Sequence, residues 1–258
     1  MEPPRLVIVG AGRLGTAVAA ALGAAGRTAT LTHHDDPLPN ADAYWLTVPD
    51  DAVAATAAKL PAGAIALHSA GSLAPDVLGD RPGAVLHPLM TFPHPTGAWV
   101  PCTIDGDPVA VALAEELATS LGWTSVGPVS DRASYHAAAC LVSGHLGAIV
   151  EDAARLFSSA TGVSPELARK TLAPLATATL VRVLATGPAA LTGPAARGDT
   201  ATILAHRAAL PQALLPTYDA GTARISFLCA DTALDTAGVK SGGYTPIGSD
   251  PTGPDDAS

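Results

Sequence analysis

The fold is decided close to the amino terminus by the stretch Leu6-Val7-Ile8-Val9-Gly10-Ala11-Gly12-Arg13-Leu14-Gly15. Its first four residues are apolar, which predicts a short buried strand that ends at Gly10. An alanine-rich apolar segment follows and stops near Gly26, as expected of a helix that packs on this strand. The motif G-x-G-x-x-G between a strand and a helix is typical of a dinucleotide-binding fold.

The three glycines of the motif have separate tasks in such a fold. Gly10 makes the tight turn, Gly12 lets a pyrophosphate approach the backbone, and Gly15 allows the helix to pack closely on the strand. The amino end of the helix adds free N–H groups and a positive dipole end. The predicted cofactor contacts are Gly10, Gly12, Arg13, Leu14 and Gly15, with His33 and His34 after the second strand and Val48 and Pro49 after the third.

The end of the second strand also bears on which nicotinamide cofactor is bound. An NAD-binding fold usually carries an Asp or Glu there, about 20 residues after the glycines, to hold the ribose 2′-hydroxyl. Here the corresponding residues are His33 and His34, which tolerate a 2′-phosphate better than a carboxylate would, with Arg13 as a helper. NADP(H) is therefore favoured over NAD(H), although Asp35 and Asp36 would favour NAD(H) if the strand were two residues longer.

Strand and helix signals alternate through the first half of the chain. Strands are predicted over 28–33, 43–48, 65–67, 84–86, 102–104 and 124–126, and helices over 52–59 and 109–121. An Asp of the Pro49-Asp50-Asp51 turn is expected to cap the first of these helices. The alternation predicts an α/β domain with a doubly wound parallel sheet over residues 1–130.

After Asp131 the sequence predicts helices only. One long helix is expected over 133–157, followed by helices over 165–184, 200–210 and 217–235, and Ser164 is the expected cap of the second. These helices form the predicted all-helical domain, residues 131–240. Residues 241–258 are rich in Gly, Pro, Ser and Asp and are predicted to be a disordered tail.

Composition and charge exclude several classes of protein. The chain has 258 residues of which 48% are hydrophobic, and this excludes a disordered protein. Its 14 basic and 23 acidic side chains give a net charge of −9 without runs of one sign, which argues against nucleic acid or an anionic membrane as a partner. Because Gly, Pro or charged residues interrupt every apolar stretch, none is expected to reach the roughly 18 residues of a membrane helix.

The cysteines and histidines point to a cytoplasmic protein without a metal site. The three cysteines are an odd number with no C-x-x-C spacing, so we expect free thiols in a reducing compartment. Residues 1–5 run directly into the first strand and leave no room for a signal peptide. None of the eight histidines has the spacing of a zinc-binding pair.

Three further segments carry side chains able to do chemistry. His68-Ser69-Ala70-Gly71 follows one predicted strand and His87-Pro88-Leu89-Met90-Thr91-Phe92-Pro93 follows the next, where ligands of open α/β sheets bind. The third segment, Tyr135-His136-Ala137-Ala138-Ala139-Cys140, lies on the long helix. On that helix His136, Cys140 and Gly144 share one face.

These segments, together with Leu191-Thr192-Gly193-Pro194-Ala195-Ala196-Arg197-Gly198-Asp199, resemble one family over most of the chain, from about Arg5 to Asp235. It combines a Rossmann-like domain with a helical region known as domain of unknown function 2520. The family is similar to pyrroline-5-carboxylate reductase, ketopantoate reductase and the β-hydroxyacid dehydrogenases. The resemblance implies dimerisation through the helical domain and NAD(P)H-dependent reduction of a C=O or C=N bond.

The chain departs from these relatives in its helical domain. The long helix of the family usually continues Ser-Asn, whereas this chain has Ser143-Gly144 and so lacks the carboxamide. The catalytic lysine and asparagine of ketopantoate reductases and β-hydroxyacid dehydrogenases have no counterpart on the helix, since the nearby Lys170 falls on the next one. A carbonyl reductase built on this chain therefore needs a different proton donor.

We predict that His136 and His87 are the catalytic residues, because an imidazole can donate the proton that a reduction requires. Arg197 is expected to bind a substrate carboxylate with both guanidinium nitrogens. The other predicted substrate contacts are Thr192, Ser69, His68 and Cys140. Structural roles stay open: His136 packed on its helix, His87 holding a turn, and Asp199 capping a helix while pairing with Arg197.

The expected function is hydride transfer to the C=O or C=N bond of a small carboxylate-bearing substrate. A 2-oxo acid such as ketopantoate, or a cyclic imine, would fit, and the enzyme would be a cytoplasmic homodimer. Two alternatives stay open, namely a non-catalytic NAD(P)-binding or sensing protein and a deazaflavin-dependent oxidoreductase.

Overall fold

The structure, a computed structural model, describes residues 4–33, 35–93 and 98–236. The chain divides into two compact units, Met1–Leu146 and Gly147–Ser258. The domain division at residue 130 stays a prediction, and the tail predicted for 241–258 lies outside the described residues.

The first unit is a seven-stranded sheet with helices on both faces. Its strands are β1 (Leu6–Val9), β2 (Ala29–Thr32), β3 (Ala43–Leu46), β4 (Ile65–His68), β5 (Gly83–Pro88), β6 (Val100–Gly106) and β7 (Trp123–Ser125). Its helices are α1 (Arg13–Ala24), α2 (Val53–Ala57), α3 (Pro108–Ser120) and α4 (Arg132–Cys140). The expected α/β fold is confirmed, and most predicted elements lie within two residues of their observed bounds.

The sheet is mostly but not wholly parallel. Its strand order is β2-β1-β3-β4-β5-β6-β7, and every neighbouring pair is parallel except β5 with β6, which is antiparallel. The predicted doubly wound parallel sheet is thus confirmed, except that this one pair runs antiparallel. A parallel pair needs a crossover, usually through a helix. Residues 89–99, which join β5 to β6, form no helix in their described part, so β6 runs back beside β5. Helix α3 then provides the crossover to β7.

The central strands are buried on both faces, which explains their continuous apolar sequences. Along β1, Ile8 packs in a cluster with Leu22 of α1, while Val9 packs on the opposite face with Val53 of α2. Trp45 of β3 is fully buried and meets Trp123 edge to face at 6.0 Å. The five parallel strands β2, β1, β3, β4 and β5 present their carboxyl ends at one edge of the sheet, from which the loops of the candidate site emerge.

The second unit is helical. Its helices are α5 (Leu146–Thr161, which begins at the last residue of the first unit), α6 (Pro165–Thr186), α7 (Pro194–Arg197), α8 (Thr200–Ala209) and α9 (Leu215–Thr236). The predicted cap of α6 is confirmed, because the Leu167 N–H donates to Ser164 Oγ at 3.2 Å. The predicted Asp cap of α2 is wrong: the turn at Asp50–Ala52 has no side-chain cap, and Asp50 instead accepts from Ser72.

The long helix predicted over 133–157 runs from α4 into α5 through one π-helical turn, Leu141–His145. That turn contains Ser143 and Gly144, where the related family has Ser-Asn. The Ser143 hydroxyl donates to the Ala139 carbonyl at 2.7 Å, so it satisfies a local backbone acceptor. A π-turn in a helix frequently marks a functional region.

Among the described residues, two helical segments are long and apolar enough to cross a membrane. They are Arg132–Thr161 and Pro165–Arg197, with mean hydropathies of 1.2 and 1.3, and 6% of each apolar window is buried within the chain. The expectation that no apolar stretch reaches this length is wrong for these two, because each tolerates its few charges, Gly and Pro. Length and hydropathy alone do not separate a membrane span from a helix that packs on another protein surface.

Candidate functional site

The glycine turn between β1 and α1 is held by close backbone contacts. A Cβ at Gly10 would lie 2.7 Å from the Thr47 carbonyl oxygen, and one at Gly15 would lie 2.0 Å from the Gly10 carbonyl oxygen. Gly10 also has a φ of +115°, a conformation that other residues rarely adopt. Thr47, which the sequence reasoning did not single out, closes the turn because its hydroxyl donates to the Gly10 carbonyl at 2.8 Å.

Gly12 is the open member of the motif. A Cβ built there meets no atom within 4 Å, and Gly12 caps α1 without any side-chain hydrogen bond. The first N–H groups of α1 are therefore unobstructed, as a pyrophosphate requires. Arg13 is exposed and Leu14 half-buried beside them. These residues fit a dinucleotide.

The adenosine end of such a cofactor would meet the residues after β2 and β3. Strand β2 ends at Thr32, whose carbonyl accepts from the Gly10 N–H at 2.9 Å, and the exposed His33 follows directly. The His33 N–H donates to the Asp36 carboxylate at 3.2 Å. His34 lies outside the described residues. Val48 is half-buried and Pro49 exposed after β3.

His68 holds the loop that follows β4. The imidazole is fully buried, its Nδ1 accepts from the Ala70 N–H at 3.2 Å, and its Nε2 lies 3.3 Å from the Ala74 carbonyl oxygen. Burial lowers the pKa of His68 to about 4, so the ring is neutral and Nε2 carries its proton. Since both ring nitrogens are used by backbone, we assign His68 to this loop rather than to a substrate.

Ser69 lies at the edge of the same loop. Its hydroxyl accepts from Trp45 Nε1 and donates to the Leu86 carbonyl, both at 2.8 Å. These two bonds tie β3, β4 and β5 together beside the cleft that Ser69 lines. One acceptor position on its oxygen stays free for a ligand.

His87 is the centre of a polar cluster between β5, β6 and α4. Its Nδ1 lies 2.5 Å from the Tyr135 hydroxyl, and Thr103 Oγ1 donates to that hydroxyl at 3.2 Å. The rings of His87 and Tyr135 meet edge to face with centroids 5.5 Å apart. Burial and the nearby His136 lower the pKa of His87 to about 4.

His136 lies next to His87, with ring centroids 6.4 Å apart. Gly71, in the loop after β4, lies close to both rings: a Cβ there would lie 2.8 Å from His87 Nε2 and 3.0 Å from His136 Cδ2. Cys140 Sγ lies 3.9 and 3.8 Å from the two ring nitrogens of His136, at the limit of a sulfur hydrogen bond. The structure therefore brings His87, His136 and Cys140 together.

Helix α4 is anchored on the sheet by an ion pair between Arg132 and Asp105 of β6. Their side chains are only 11% and 18% exposed, and Arg132 also donates to the Gly71 carbonyl at 3.5 Å. Sequence reasoning gave no role to Arg132, Asp105, Thr103 or Gly71. One signal was present: Thr103 and Asp105, two residues apart in a buried strand, point to the same side of the sheet.

A cleft of about 370 Å³ joins the glycine turn to this cluster. Its walls are Arg13, Leu14, Ser69, His87, Pro88, Met90, Thr91 and Phe92. Arg13 and Leu14 of the glycine motif thus share one cleft with Ser69, His87 and the β5 loop, whereas His136 and Cys140 are not among its lining residues. No acidic residue is among the described residues that line it.

The remaining predicted substrate contacts lie in the second unit. Thr192 and Arg197 are exposed, and Arg197 makes no ion pair with any described residue. The predicted cap at Asp199 is confirmed, because the Thr202 N–H donates to Asp199 Oδ1 at 3.1 Å. The bonds from Thr202 lower the pKa of Asp199.

Comparison with protein families gives one match. Residues 100–225 match the model described as Domain of unknown function (DUF2520). The C-terminal part of this chain carries a DUF2520 domain. The resemblance noted from the sequence is thereby confirmed, with a different boundary: the DUF2520 domain begins at β6 and so includes β6, α3 and β7 as well as the helices. A search of the curated proteins finds no match.

The chain with its DUF2520 domain is similar to solved reductase structures at low identity. A protein of Bacteroides fragilis, whose description as an NADP oxidoreductase is provisional, has a TM-score of 0.73 and 23% identity over 87% of this chain and 98% of its own. A reductive aminase of Aspergillus terreus, solved with NADPH and ethyl levulinate, has a TM-score of 0.64 and 21% identity, over 89% of this chain and 99% of its own. Pyrroline carboxylate reductase of Plasmodium falciparum, solved with NADP, has a TM-score of 0.55 and 11% identity, over 89% of this chain and 99% of its own. These likenesses confirm a Rossmann-type sheet followed by a helical region.

The two neutral histidines, of which His68 is buried and His87 half-buried, predict a loss of stability in acid. The unfolded histidine pKa is near 6.5 and the folded values of His68 and His87 are about 4, so between these pH values the unfolded chain binds more protons. The contribution of these histidines to the free energy of unfolding should be greatest above about pH 7 and fall towards pH 4, by up to about 3 kcal/mol per histidine. Urea titrations between pH 7.5 and pH 4.5 measure this. His68→Gln should lower stability at pH 7 but make the pH dependence shallower, and an unchanged slope would contradict the assignment.

Proposed function

We propose that this chain is an NAD(P)H-dependent reductase of a small carboxylate-bearing substrate with a C=O or C=N bond. The observation that carries the proposal is the shared cleft: Arg13 and Leu14, at the start of α1, line the same cavity as His87. The open backbone at Gly12 and a polar cluster able to orient a reacting group therefore lie side by side. The fold that the chain shares with reductase structures supports the same reading.

In this proposal the glycine turn and the amino end of α1 hold the pyrophosphate, and the loop at Val48 and Pro49 borders the cofactor. A bound nicotinamide would supply hydride. His87 and His136 face the reacting group, and Ser69 offers its free acceptor position at the cleft edge. Cys140 is a further proposed substrate contact of the first unit. In the second unit, Arg197 is exposed and without an ion-pair partner among the described residues, and it stays, with Thr192, a predicted ligand of a carboxylate.

The state of the cysteines supports a place in the cytoplasm. All three lie among the described residues and are free, with Cys102 buried and Cys140 and Cys229 half-buried. Burial raises the pKa of the Cys102 thiol to about 11, which keeps it protonated and unreactive. Such thiols suit a reducing compartment.

A substitution at Gly12 tests cofactor binding without disturbing the fold. Gly12→Ala introduces a methyl group that meets no protein atom within 4 Å, so the thermal midpoint should stay unchanged while the methyl occupies the pyrophosphate space. We expect calorimetry with NADPH to show affinity reduced by about tenfold or more. Gly23→Ala is the matched control, because Gly23 lies on the same helix α1 with equally open surroundings. Wild-type protein that binds neither NADPH nor NADH would refute the proposed function.

We propose further that NADP(H) is preferred over NAD(H). Strand β2 ends at Thr32, which supports the shorter strand, and His33 rather than Asp35 or Asp36 directly follows it. The Asp36 carboxylate is engaged by the His33 N–H.

His33→Asp tests this cofactor preference. The new carboxylate should bind the ribose 2′-hydroxyl of NAD(H) and repel a 2′-phosphate, so the ratio of NADPH to NADH affinity should fall by about tenfold or more. The Kd values of both cofactors, measured on both proteins, give this ratio. A wild-type protein that binds NADH more tightly than NADPH would overturn the proposed preference.

The helical unit supports the proposal that the protein is a homodimer. Helices α5 and α6 each bury one residue, Ala154 and Ala168, and α9 buries none of its described side chains. Large apolar side chains stay exposed on α6, among them Leu175, Val181 and Leu184. Exposed apolar surface of this extent marks a contact with another surface, and we propose a second copy of the chain.

Two charges on α6 test the homodimer. Light scattering after size exclusion should give twice the chain mass for the wild type, and Val181→Glu with Leu184→Glu should shift it to the monomer because the charges would be buried at the interface. Val109→Glu, at an equally exposed apolar residue of α3, is the matched control. A monomeric wild type, or recovery of the protein in the membrane fraction, would refute the dimer.

A further inference from the structure

The hydrogen bonds around His87 determine where its proton lies. Thr103 Oγ1 donates its single proton to the Tyr135 oxygen, which leaves the phenolic proton of Tyr135 free to donate to His87 Nδ1 at 2.5 Å. His87 Nδ1 is therefore an acceptor. A neutral imidazole carries one proton, so that proton lies on Nε2.

The surroundings keep the ring neutral. Burial is the largest effect, and the charged and titratable neighbours are His136 and Arg132 from α4, His68 from β4 and Asp50 from the turn after β3. Only Asp50 favours a charged ring, and it is outweighed. No other hydrogen bond to His87 occurs in the part of the chain that the structure describes, so Nε2 has no protein acceptor there. A Cβ at Gly71 would lie 2.8 Å from Nε2, so the glycine leaves the space beside this nitrogen open, and His87 itself lines the cleft.

We propose that His87 acts as a fixed neutral hydrogen-bond donor, oriented by Tyr135, and that the site consequently reduces carbonyl groups in preference to iminium ions. This inference rests on the proposed reductase function and decides between the two bond types left open there. Tyr135 is a positioning residue, since it acts through His87, and Thr103 in turn orients Tyr135.

The preference follows from the lone pairs of the reacting group. A carbonyl oxygen offers lone pairs to Nε2–H, whereas an iminium nitrogen already carries its substituents or proton and has none. The cleft gives an iminium ion no compensation, because its described lining has no carboxylate and includes the cationic Arg13. A donor aimed at developing negative charge stabilises an alkoxide and not a neutral amine.

The proton balance closes with these groups. Hydride addition to the carbonyl carbon moves the electron pair of the C=O bond onto oxygen, and that oxygen takes the Nε2 proton. His87 Nδ1 takes the phenolic proton of Tyr135 at the same time, so the ring stays neutral. Burial raises the pKa of Tyr135, although the Thr103 hydroxyl and Arg132 act in the opposite direction, so the phenolate does not persist and regains a proton from solvent.

The geometric half of the proposal is tested without turnover. Nitrogen NMR of protein labelled with ¹⁵N-histidine should show His87 with a protonated Nε2 and an unprotonated Nδ1 from about pH 5.5 to pH 8. Tyr135→Phe should introduce the second tautomer, because nothing then donates to Nδ1. Tyr218→Phe is the matched control, since Tyr218 makes the same kind of bond to His206 Nδ1, at 2.7 Å, between helices α9 and α8 of the second unit. A wild-type His87 protonated on Nδ1, or charged at pH 7, would overturn the proposal.

The chemical half is tested with paired substrates of equal carbon number. NADPH oxidation should be measured with 2-oxopentanoate and 1-pyrroline-2-carboxylate, and with ketopantoate and further ketone–iminium pairs. We expect kcat/KM for the carbonyl compounds to exceed that for the iminium ions by about tenfold or more, and Tyr135→Phe to lower kcat with the ketone by about 10²-fold. Tyr218→Phe should keep the wild-type kcat.

The outcomes separate this inference from the function on which it rests. NADPH binding with faster turnover of iminium ions would overturn the carbonyl preference and leave the reductase standing. Equal loss of kcat in Tyr135→Phe for both substrate classes, with unchanged tautomer signals, would show a merely structural tyrosine and overturn the role of Tyr135. Absence of nicotinamide binding would refute both the reductase and the substrate preference, whereas the NMR result would still show where the His87 proton lies.

Discussion

The site depends on one close approach, between Gly15 of α1 and the Gly10 carbonyl oxygen. A Cβ at Gly15 would lie 2.0 Å from that oxygen, a distance that no non-bonded pair tolerates, so only glycine lets the helix begin where it does. The Thr47 hydroxyl binds the same carbonyl from the end of β3 and fixes the turn from the other side. The close contacts are confined to Gly10 and Gly15, so the backbone at Gly12 is left open and α1 presents its amino end to the cleft.

A second constraint, the polar contacts that hold α4 on the sheet, determines the chemistry beside the glycine turn. Asp105 and Thr103 of β6 bind Arg132 and Tyr135, the first and fourth residues of the helix, and Tyr135 also reaches His87. The helix thus covers His87 and orients it in the same step. Burial lowers the pKa of the imidazole, and in our proposal the phenol determines which nitrogen carries the proton. The bonds that hold α4 on the sheet are therefore also part of the candidate site.

The sequence predicted those parts of the structure whose signals are local. Strand β1, the glycine turn and α1 were located closely because a buried strand and a glycine motif specify them within twenty residues. The reversal of β6 was missed because strand direction depends on a connection and not on the strand itself. His68 and His87 look alike in sequence, yet one holds a loop and the other faces the cleft. That difference comes from Tyr135, 48 residues beyond His87, which no local pattern links to it.

The missing lysine and asparagine of the related reductase families become understandable from this arrangement. Those residues would stand on the helix and supply a proton or a polar contact from there. In this chain the corresponding part of the helix has small residues and the π-turn at Ser143 and Gly144, whose hydroxyl is used by backbone. In the proposed mechanism the donor is instead the His87 imidazole on the sheet, and the helix supplies the Tyr135 phenol behind it. In this proposal the proton that a reduction requires comes from the sheet and not from the helix. The donor is also neutral where the lysine would be cationic, and this difference changes which bond the site favours.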